Sequence, residues 1–255
     1  MDRIKVGVNG YGVIGKRVAD AVHAQPDMQL TGVADIVTDW RIQSAVPRLP
    51  VFAATPDAHS GMVDTGIRPE GTLDDLLAQS DVIVDTTPKH VAAGNLPRYQ
   101  AAGVKVIVQG GEAHSTTGHS FVAQANYATA LGRDLTRVVS CNTTSIVRVL
   151  GALENAGLLL RARGVLIRRA TDPWESHLGG IMNTMVPEPV IPSHQGPDAK
   201  TVLPDLDVVT IAAKGAHTQT HNHYWTLQLT RRASRDEVLD ALRAAPRIAF
   251  IRMSD

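Results

Sequence analysis

The sequence predicts an α/β protein of two parts: a parallel sheet in residues 1–139, and an α+β part with a mainly antiparallel sheet in residues 140–255. Two observations predict this division. Short apolar segments alternate with segments of helical spacing in the first part, whereas the second part contains a strand in which apolar and polar residues alternate. A chain of 255 residues is long enough for two modest domains.

The first part reads as a series of strand–helix units. Strands are predicted at 4–9, 30–34, 82–84, 104–108 and 138–139, and helices at 15–24, near 73–77 and at 91–102. These strands are apolar along most of their length, which is typical of a sheet covered on both faces. The alternation of strands with helices therefore predicts a doubly wound parallel sheet.

The second part has a different pattern. A helix is predicted at 145–160, and a second one at 235–244 begins after Ser234, a favourable N-cap residue. Strands are predicted at 165–167, 208–211, 224–230 and 248–251. This mixture predicts the α+β class.

Composition excludes several classes of protein. The 25 basic and 25 acidic residues give a net charge of zero, so no general attraction to nucleic acid or to an anionic membrane is expected. The single cysteine cannot form an internal disulfide, which favours a reducing compartment. The start of the chain has no apolar signal-peptide core. These observations predict a cytoplasmic protein.

A glycine-rich turn follows the first strand directly. Gly10, Gly12 and Gly15 fit the G-x-G-x-x-G pattern between a strand and a helix, which is the context of a Rossmann dinucleotide-binding turn. Asp35 ends the second strand, where a carboxylate accepts hydrogen bonds from ribose hydroxyls and repels a 2′-phosphate. The pattern therefore favours NAD over NADP, with NADP left open. The alternative is a structural turn without a ligand.

Cys141, the only cysteine, lies between a strand end and a long helix. A helix N-terminus stabilises a thiolate through its dipole and its unpaired N–H groups. The same groups can bind an oxyanion that forms when the thiolate adds to a carbonyl. Position alone leaves a buried core cysteine as the equal alternative, but the polar residues that follow Cys141 favour a nucleophile.

Longer segments carry a resemblance to one family. The chain resembles the archaeal-type (class II) phosphorylating glyceraldehyde-3-phosphate dehydrogenases over nearly its whole length. The matching segments are VGVNGYGVIGKRVADAV at 6–22, IVQGGEA at 107–113, RVVSCNTT at 137–144, IRRATDPWE at 167–175, VPEPVIPSHQGPDAKTVLPDL at 186–206 and THNH at 220–223. The motif SCNTT also occurs in related semialdehyde dehydrogenases, so SHQGPDAKTVLP is the more specific of these segments.

The resemblance implies a chemistry and assigns residues to it. Cys141 corresponds to the nucleophile and His221 to the general base, with His223 as the second histidine of the H-x-H motif. The histidine spacing by itself also leaves open a solvated strand, or a zinc site formed by His217, His221 and His223; no metal is expected. The implied reaction is the glycolytic, NAD(P)-dependent oxidation of glyceraldehyde 3-phosphate to 1,3-bisphosphoglycerate through a cysteine thioester.

The resemblance also implies two sets of binding residues. Cofactor contacts beyond the glycines and Asp35 correspond to Val13, Ile14, Gly111 and Arg169. Contacts with the substrate or with phosphate correspond to Ser140, Asn142, Thr143, Arg168, His194, Gln195 and Lys200. The implied partners are a phosphorylated aldehyde, inorganic phosphate and further copies of the chain in a homotetramer.

The chain departs from the family pattern in several places. The family has a histidine pair where this chain has His194 and Gln195, lysine in many members where it has Asp35, and glycine where it has Ser145. Family members continue past the strand predicted at 248–251, so we expect this chain to lack their C-terminal return helix. Two alternatives follow: a related cysteine-dependent dehydrogenase for another phosphorylated or acidic aldehyde, or an NAD-binding protein without catalysis.

Overall fold

The computed structural model describes residues 2–109, 111–171 and 184–251. The chain forms two compact units. The first comprises Met1–Ser120 and Ala130–Val138, and the second comprises Phe121–Thr129 and Val139–Asp255. Residues 121–129 thus group with the second unit, whereas the sequence placed them in the first.

An eight-stranded sheet forms the first unit, with strand order β4-β3-β2-β1-β5-β6-β8-β7. Its strands are β1 (Ile4–Asn9), β2 (Met28–Asp35), β3 (Val51–Ala53), β4 (Gly71–Thr72), β5 (Val82–Asp85), β6 (Lys105–Val108), β7 (Ser120–Phe121) and β8 (Leu135–Val138). The central strand β1 pairs in parallel with both β2 and β5. The parallel, doubly wound sheet predicted from the sequence is confirmed.

Helices connect these strands and cover the sheet. They are α1 (Val13–His23), α2 (Trp40–Gln43), α3 (Pro56–Asp64), α4 (Leu73–Ala78), α5 (Val91–Ala101) and α6 (His114–Thr117). Val33 and Ala34, neighbours on β2, are completely buried in two different apolar clusters. Because successive strand residues face opposite sides of a sheet, both faces of this sheet are covered.

The second unit is built on a four-stranded sheet with strand order β10-β11-β9-β12. Its strands are β9 (Leu159–Arg169), β10 (Met185–Pro187), β11 (Val208–Gly215) and β12 (Asn222–Leu229). The helices of this part of the chain are α7 (Ala123–Ala130), α8 (Cys141–Asn155), α9 (Gln195–Lys200) and α10 (Arg235–Ala244). Ile146, Val147 and Leu150 of α8 pack in one cluster with Leu166 of β9 and Val208 of β11.

The second sheet is mainly antiparallel, as predicted, but it is mixed, because one of its three strand pairings is parallel. β10 pairs with β11 and β12 pairs with β9 in antiparallel fashion, but β9 and β11 run parallel. The chain between β9 and β11 contains β10 and α9. A connection of that length lets the chain return alongside β9 in the same direction, which a short hairpin cannot do.

Two predicted elements differ from the structure. The helix predicted at 145–160 is α8, which begins at Cys141 and ends at Asn155. Gly157, with φ of 67°, stops the helix, and β9 begins at Leu159. The strand predicted at 248–251 is wrong: this segment has no regular structure, and Ile251 is 85% exposed. Its apolar residues have no strand beside them in the described part of the chain.

A close approach fixes the register of β12 against β9. Trp225 is the direct partner of Gly164 across the two strands. A Cβ atom on residue 164 would lie 2.3 Å from Trp225 Cζ3. Glycine is therefore needed at this position for the indole ring to lie against β9.

Candidate active site

Cys141 is the first residue of α8 and is exposed. Ser140 precedes it as the N-cap, with an extended backbone, and its Oγ accepts a hydrogen bond from Thr143 N at 3.2 Å. Serine is among the preferred residues at this position because its short side chain satisfies an N–H group of the first turn. The local sequence thus starts the helix so that the thiol lies in its first turn.

The thiol of Cys141 lies beside the imidazole of His221. The distance from Sγ to Nε2 is 3.3 Å. The main-chain N–H of Arg169 donates to His221 Nδ1 at 3.2 Å. Nδ1 is thereby an acceptor, so the hydrogen-bond network assigns the proton of the neutral ring to Nε2. An N–H group that faces the sulfur stabilises its thiolate form, which is the nucleophilic form.

The second histidine of the motif pairs with the next helix residue. His223 Nε2 lies 2.8 Å from Asn142 Oδ1. His221 directly precedes β12 and His223 is its second residue, a separation of two positions that favours the same side of an extended chain. Burial lowers the pKa of His223, which favours the neutral ring. Consecutive residues of α8 therefore each contact one histidine.

Thr143 has a structural environment. Thr143 is completely buried, and its hydroxyl donates to Asp198 Oδ2 at 2.8 Å. The hydroxyl oxygen of Thr143 also lies 2.9 Å from Ser140 Oγ. These bonds attach the first turn of α8 to α9. A contact between Thr143 and phosphate stays a prediction, since a ligand would have to compete with these partners.

Arg168 and His194 share a carboxylate partner. Arg168 forms an ion pair with Glu188, and His194 Nδ1 lies 3.8 Å from the other oxygen of Glu188. Arg168 Nε is buried and has no hydrogen-bond partner among the described residues. The pair of residues predicted to bind an anion thus lies together, but with a carboxylate already beside it.

The remaining residues predicted to contact substrate are placed less directly. Gln195 is completely buried, and neither side-chain amide atom has a partner within the described residues. Lys200, the last residue of α9, is exposed. The hydrogen bond from Arg163 is the main cause of the lowered pKa of Asp207, and the charge of Lys200 contributes to it. No hydrogen bond between described residues connects Gln195 or Lys200 with Cys141, so their roles stay predictions.

The glycine-rich turn of the first unit is held by the main chain and by Asp35. Gly10 N donates to Ala34 O at 2.8 Å, and Tyr11 N donates to Asp35 Oδ2 at 2.6 Å. The other carboxylate oxygen accepts from Ile36 N at 2.6 Å and from Val37 N at 3.1 Å. Asp35 thus joins the end of β2 to the turn, a structural task that the sequence did not reveal.

This turn fits a dinucleotide. Gly12 is the N-cap of α1 and has no side chain that could cap the helix. The first N–H groups of α1 are therefore available to a pyrophosphate. A Cβ atom on residue 12 would have nothing within 4 Å, whereas one on residue 15 would lie 1.9 Å from Gly10 O. The space is therefore open at the second glycine and closed at the third. Val13 and Ile14, both exposed, begin the helix.

The two other residues expected to contact the cofactor lie apart from this turn in the sequence. Gly111 follows β6, where an added Cβ atom would lie 3.1 Å from Lys89 Cα. Arg169 ends β9 and belongs to the second unit. Both roles stay predictions.

A buried polar network lies behind the turn and was missed by the sequence reasoning. Asp85 is 1% exposed at the end of β5 and accepts from Tyr99 OH at 2.6 Å. Asp85 also accepts hydrogen bonds from Thr87 N at 2.9 Å and from Asn95 Nδ2 at 3.1 Å. Asn9 is the last residue before the glycine-rich turn, and its Nδ2 donates to Tyr99 OH at 2.7 Å. Burial raises the pKa of Tyr99, so the phenol stays protonated.

No group of three or more histidine, cysteine or acidic residues in the described ranges is arranged to hold a metal ion, so the zinc alternative gains no support there. Within the same ranges, no helix has both the length and the apolar character needed to cross a membrane.

The fold and the two sites define a class of protein: dehydrogenases that combine a dinucleotide-binding sheet with a cysteine at a helix start. Residues 140–254 match the family described as glyceraldehyde 3-phosphate dehydrogenase, C-terminal domain. Residues 4–143 match dihydrodipicolinate reductase, N-terminus.

Relatives define the family. Glyceraldehyde-3-phosphate dehydrogenase from Methanococcoides burtonii is 43% identical over 98% of this chain and 75% of its own length. The enzymes of that name from Archaeoglobus fulgidus and Methanopyrus kandleri are 42% and 44% identical, over 100% and 97% of this chain and 75% and 73% of their own. The chain belongs to the glyceraldehyde-3-phosphate dehydrogenase family, and spans about three-quarters of the length of these relatives.

A solved structure supports the fold alone. Aspartate semialdehyde dehydrogenase II from Vibrio cholerae superimposes with a TM-score of 0.74 at 12% identity, over 100% of this chain and 83% of that one.

Proposed function

We propose that this chain catalyses the NAD-dependent oxidation and phosphorylation of glyceraldehyde 3-phosphate to 1,3-bisphosphoglycerate. The observation that carries the proposal is the pair formed by Cys141 Sγ and His221 Nε2 at 3.3 Å, in a chain whose relatives bear the name of that activity. The pair supplies the nucleophile and the proton-bearing group that aldehyde oxidation through a thioester needs.

The proposed reaction begins at the sulfur. The thiolate of Cys141 forms a C–S bond with the aldehyde carbon, and the carbonyl electron pair moves onto oxygen. His221 Nε2–H donates to the resulting oxyanion. A nicotinamide cofactor held at the turn of Gly10, Gly12 and Gly15 would supply the acceptor for the hydride that leaves that carbon. An oxygen of inorganic phosphate then attacks the thioester carbon, the C–S bond breaks, and the thiolate of Cys141 is restored.

His221 also carries the proposed role of general base. The ring can accept a substrate hydroxyl proton only at a nitrogen that has none. In the tautomer that the hydrogen bonds assign, Nδ1 accepts from the Arg169 N–H group and Nε2 bears the proton. Action as a base therefore requires that the hydrogen bond from Arg169 is released.

The proposed anion sites centre on Arg168 and His194. Arg168 has a guanidinium that can bind phosphate oxygens in pairs, and its buried Nε lacks a partner among the described side chains. Binding requires that phosphate displaces Glu188 from Arg168. Ser140, Asn142, Thr143, Gln195 and Lys200 complete the proposed set of substrate and phosphate contacts.

NAD is the proposed cofactor, with NADP as the alternative. Asp35 supports NAD because its carboxylate retains lone pairs for ribose hydroxyls and repels a 2′-phosphate. Asp35→Asn removes the charge and keeps one acceptor oxygen, for Ile36 N and Val37 N, but its NH2 group cannot accept from Tyr11 N. The ratio of the two cofactor affinities therefore reports the charge, because the lost bond affects NAD and NADP alike. We expect the substitution to raise NADP affinity relative to NAD in calorimetric titrations; an unchanged ratio of the two dissociation constants would contradict the role of Asp35.

A homo-oligomer, a tetramer by family resemblance, is part of the proposal. Val165, Ile211 and Tyr224 are 41%, 41% and 64% exposed and lie in one row across β11, β9 and β12. Such an exposed apolar sheet face fits contact with a second copy of the chain. The cytoplasmic location is likewise proposed, on the basis of the single unpaired cysteine.

The test of the proposed function is NADH formation followed by absorbance. We expect it to require both glyceraldehyde 3-phosphate and inorganic phosphate, to vanish in Cys141→Ser, and to persist in Thr226→Val, a matched change on the exposed face of β12. Full activity in Cys141→Ser would refute the proposal. Activity without added phosphate would refute its phosphorylating step.

One observation favours a second candidate. Gln195, where the family has histidine, is completely buried with an unpartnered amide. A neutral amide in place of an imidazole favours a different phosphorylated or acidic aldehyde. A panel of such aldehydes distinguishes the two, because kcat/KM for glyceraldehyde 3-phosphate must be the highest if the first proposal is right.

A further inference from the structure

His223 has no part in the proposed reaction, yet it is held as tightly as His221. Its Nε2 lies 2.8 Å from Asn142 Oδ1. Its ring meets the indole of Trp225 edge to face, at 6.1 Å between centroids. An amide oxygen can only accept, so Nε2 of His223 is the donor. This bond fixes which way the Asn142 amide points.

The nitrogen of that amide has no hydrogen-bond partner among the described residues. No hydrogen bond between described residues uses Asn142 Nδ2, although Asn142 is only 4% exposed. Nδ2 is also not among the fully enclosed side-chain atoms that lack a partner. Nδ2 of Asn142 therefore keeps some exposure to solvent, and its N–H groups are available to a ligand.

The position of this amide relates it to the nucleophile. Cys141 and Asn142 are consecutive in the first turn of α8, with Cα atoms about 3.8 Å apart. Their side chains meet His221 and His223, which are two positions apart in the chain. The two hydrogen bonds therefore bring both helix side chains toward the same pair of histidines.

We propose that His223 is a positioning residue that turns the Asn142 amide so that its N–H group donates to the oxygen of a carbonyl attacked by Cys141. The proposal rests on the proposed function only in taking Cys141 as the nucleophile. It makes Asn142 a second donor to the oxyanion, beside His221 Nε2–H, and it assigns a role to the second histidine of the H-x-H motif.

The role can be tested without cofactor or aldehyde. With p-nitrophenyl acetate, the thiolate of Cys141 forms a C–S bond with the ester carbon, and the carbonyl electron pair moves onto oxygen. The pair then returns as the bond to p-nitrophenolate breaks, which leaves an acetyl thioester. With iodoacetamide, the same thiolate displaces iodide from a saturated carbon, and no oxyanion forms. The ratio of the acylation rate to the alkylation rate therefore reports the oxyanion donor and cancels thiol reactivity.

Three variants and one control decide the matter. Asn142→Ala removes the donor, and the ratio is expected to fall about 100-fold, the usual loss for one oxyanion donor. His223→Leu keeps the volume against Trp225 but frees the amide to rotate, and the ratio should fall about tenfold. His223→Gln places an N–H group at the position of Nε2 and should restore most of the ratio. Thr226→Val, on the opposite face of β12, should leave it unchanged.

The outcomes are distinct. An unchanged ratio in His223→Leu, with alkylation as fast as in the parent chain, would overturn the proposal. A loss of alkylation in His223→Leu would mean a disturbed fold, and His223→Gln then decides: a ratio as low as in Asn142→Ala overturns the proposal, and a ratio near that of the parent supports it. Because neither reagent needs NAD, a chain without dehydrogenase activity would refute the proposed function and still allow this test.

Discussion

Alanine at two glycines of the nucleotide turn is expected to separate folding from cofactor binding. Gly12 and Gly15 belong to the same motif, but their surroundings differ. A Cβ atom at position 15 would lie 1.9 Å from Gly10 O and 2.9 Å from Thr86 Oγ1, whereas one at position 12 would meet nothing within 4 Å. Gly12 has φ of −75° and ψ of −161°, which alanine adopts without strain.

The expected cost of Gly15→Ala follows from these distances. To reach ordinary contact, the turn or α1 must move by about 1.5 Å, an overpacking that costs about 1–3 kcal/mol. The movement also strains the bond from Tyr11 N to Asp35 at 2.6 Å, worth about 1 kcal/mol. Together these give a loss of about 2–4 kcal/mol in the free energy of unfolding, or roughly 5–10 °C in Tm.

Gly12→Ala is expected to behave in the opposite way. Without a clash, its free energy of unfolding should stay within about 1 kcal/mol of the parent value. Its methyl group occupies the open space through which a pyrophosphate approaches the backbone, so the Kd for NAD should rise at least about tenfold, which corresponds to about 1.4 kcal/mol.

Urea unfolding and calorimetric titration with NAD test both expectations on the same protein samples. The parent chain and a surface variant of α1, Asp20→Asn, serve as controls. The reasoning is refuted if Gly15→Ala is as stable as the parent chain. It is equally refuted if Gly12→Ala binds NAD with unchanged Kd.

Three further predictions concern other parts of the molecule. Tyr99→Phe leaves Asn9 Nδ2 without its acceptor and removes one of the donors to Asp85, and it should cost about 1–3 kcal/mol in urea unfolding; a cost below about 0.5 kcal/mol would show that the network does not stabilise the fold. Burial lowers the pKa of His223, so below its ordinary value near 6.5 the unfolded chain binds a proton that the folded chain does not. Unfolding free energy should therefore decrease from about pH 6.5 downward, by at most about 1.4 kcal/mol per pH unit for this group, and His223→Gln should lessen the slope. Ile211→Asp should reduce the oligomer size measured by light scattering if the outer face of the second sheet is the contact between copies, and an unchanged size excludes that face.

Local patterns predicted the parts of the fold that local forces determine. The glycine turn and its flanking elements follow from residues within about twenty positions of one another, and so does the start of α8 at its Ser140 cap. The segment from 36 to 72 was not resolved into α2, β3, α3 and β4 in advance. Its signals were present in Thr55, which caps α3 before Pro56, and in Thr72 with Asp75, which form a capping box.

Long-range features could not be predicted from such patterns. Strand direction in the second sheet depends on the path of the chain between β9 and β11, which periodicity does not encode. The pairing of Cys141 with His221 joins residues 80 positions apart, and only the family resemblance connected them beforehand. The Asp85 network likewise joins three elements, β1, β5 and α5, and a lone aspartate at a strand end gives no sign of its partners.

The segment 248–251 shows that local composition can also predict an element that the fold does not form. Its residues are apolar and β-branched enough to predict a strand, but Phe250 is 48% exposed and no described strand lies beside it. A strand requires a neighbour for its main-chain hydrogen bonds. Composition reports the preference of a segment, while the neighbour depends on the rest of the chain.

The placement of the two histidines depends on Gly164, a residue of β9 that has no role in the proposed chemistry. Because the side chains of a strand alternate, a slip of β12 by one residue would turn His221 and His223 to the outer face together. The indole of Trp225 can lie only opposite a residue without a side chain, so the correct alignment is the one that the packing accepts. A substitution at Gly164 is therefore expected to misplace both histidines at once, and a screen of inactive variants would find it among residues with no visible link to the chemistry.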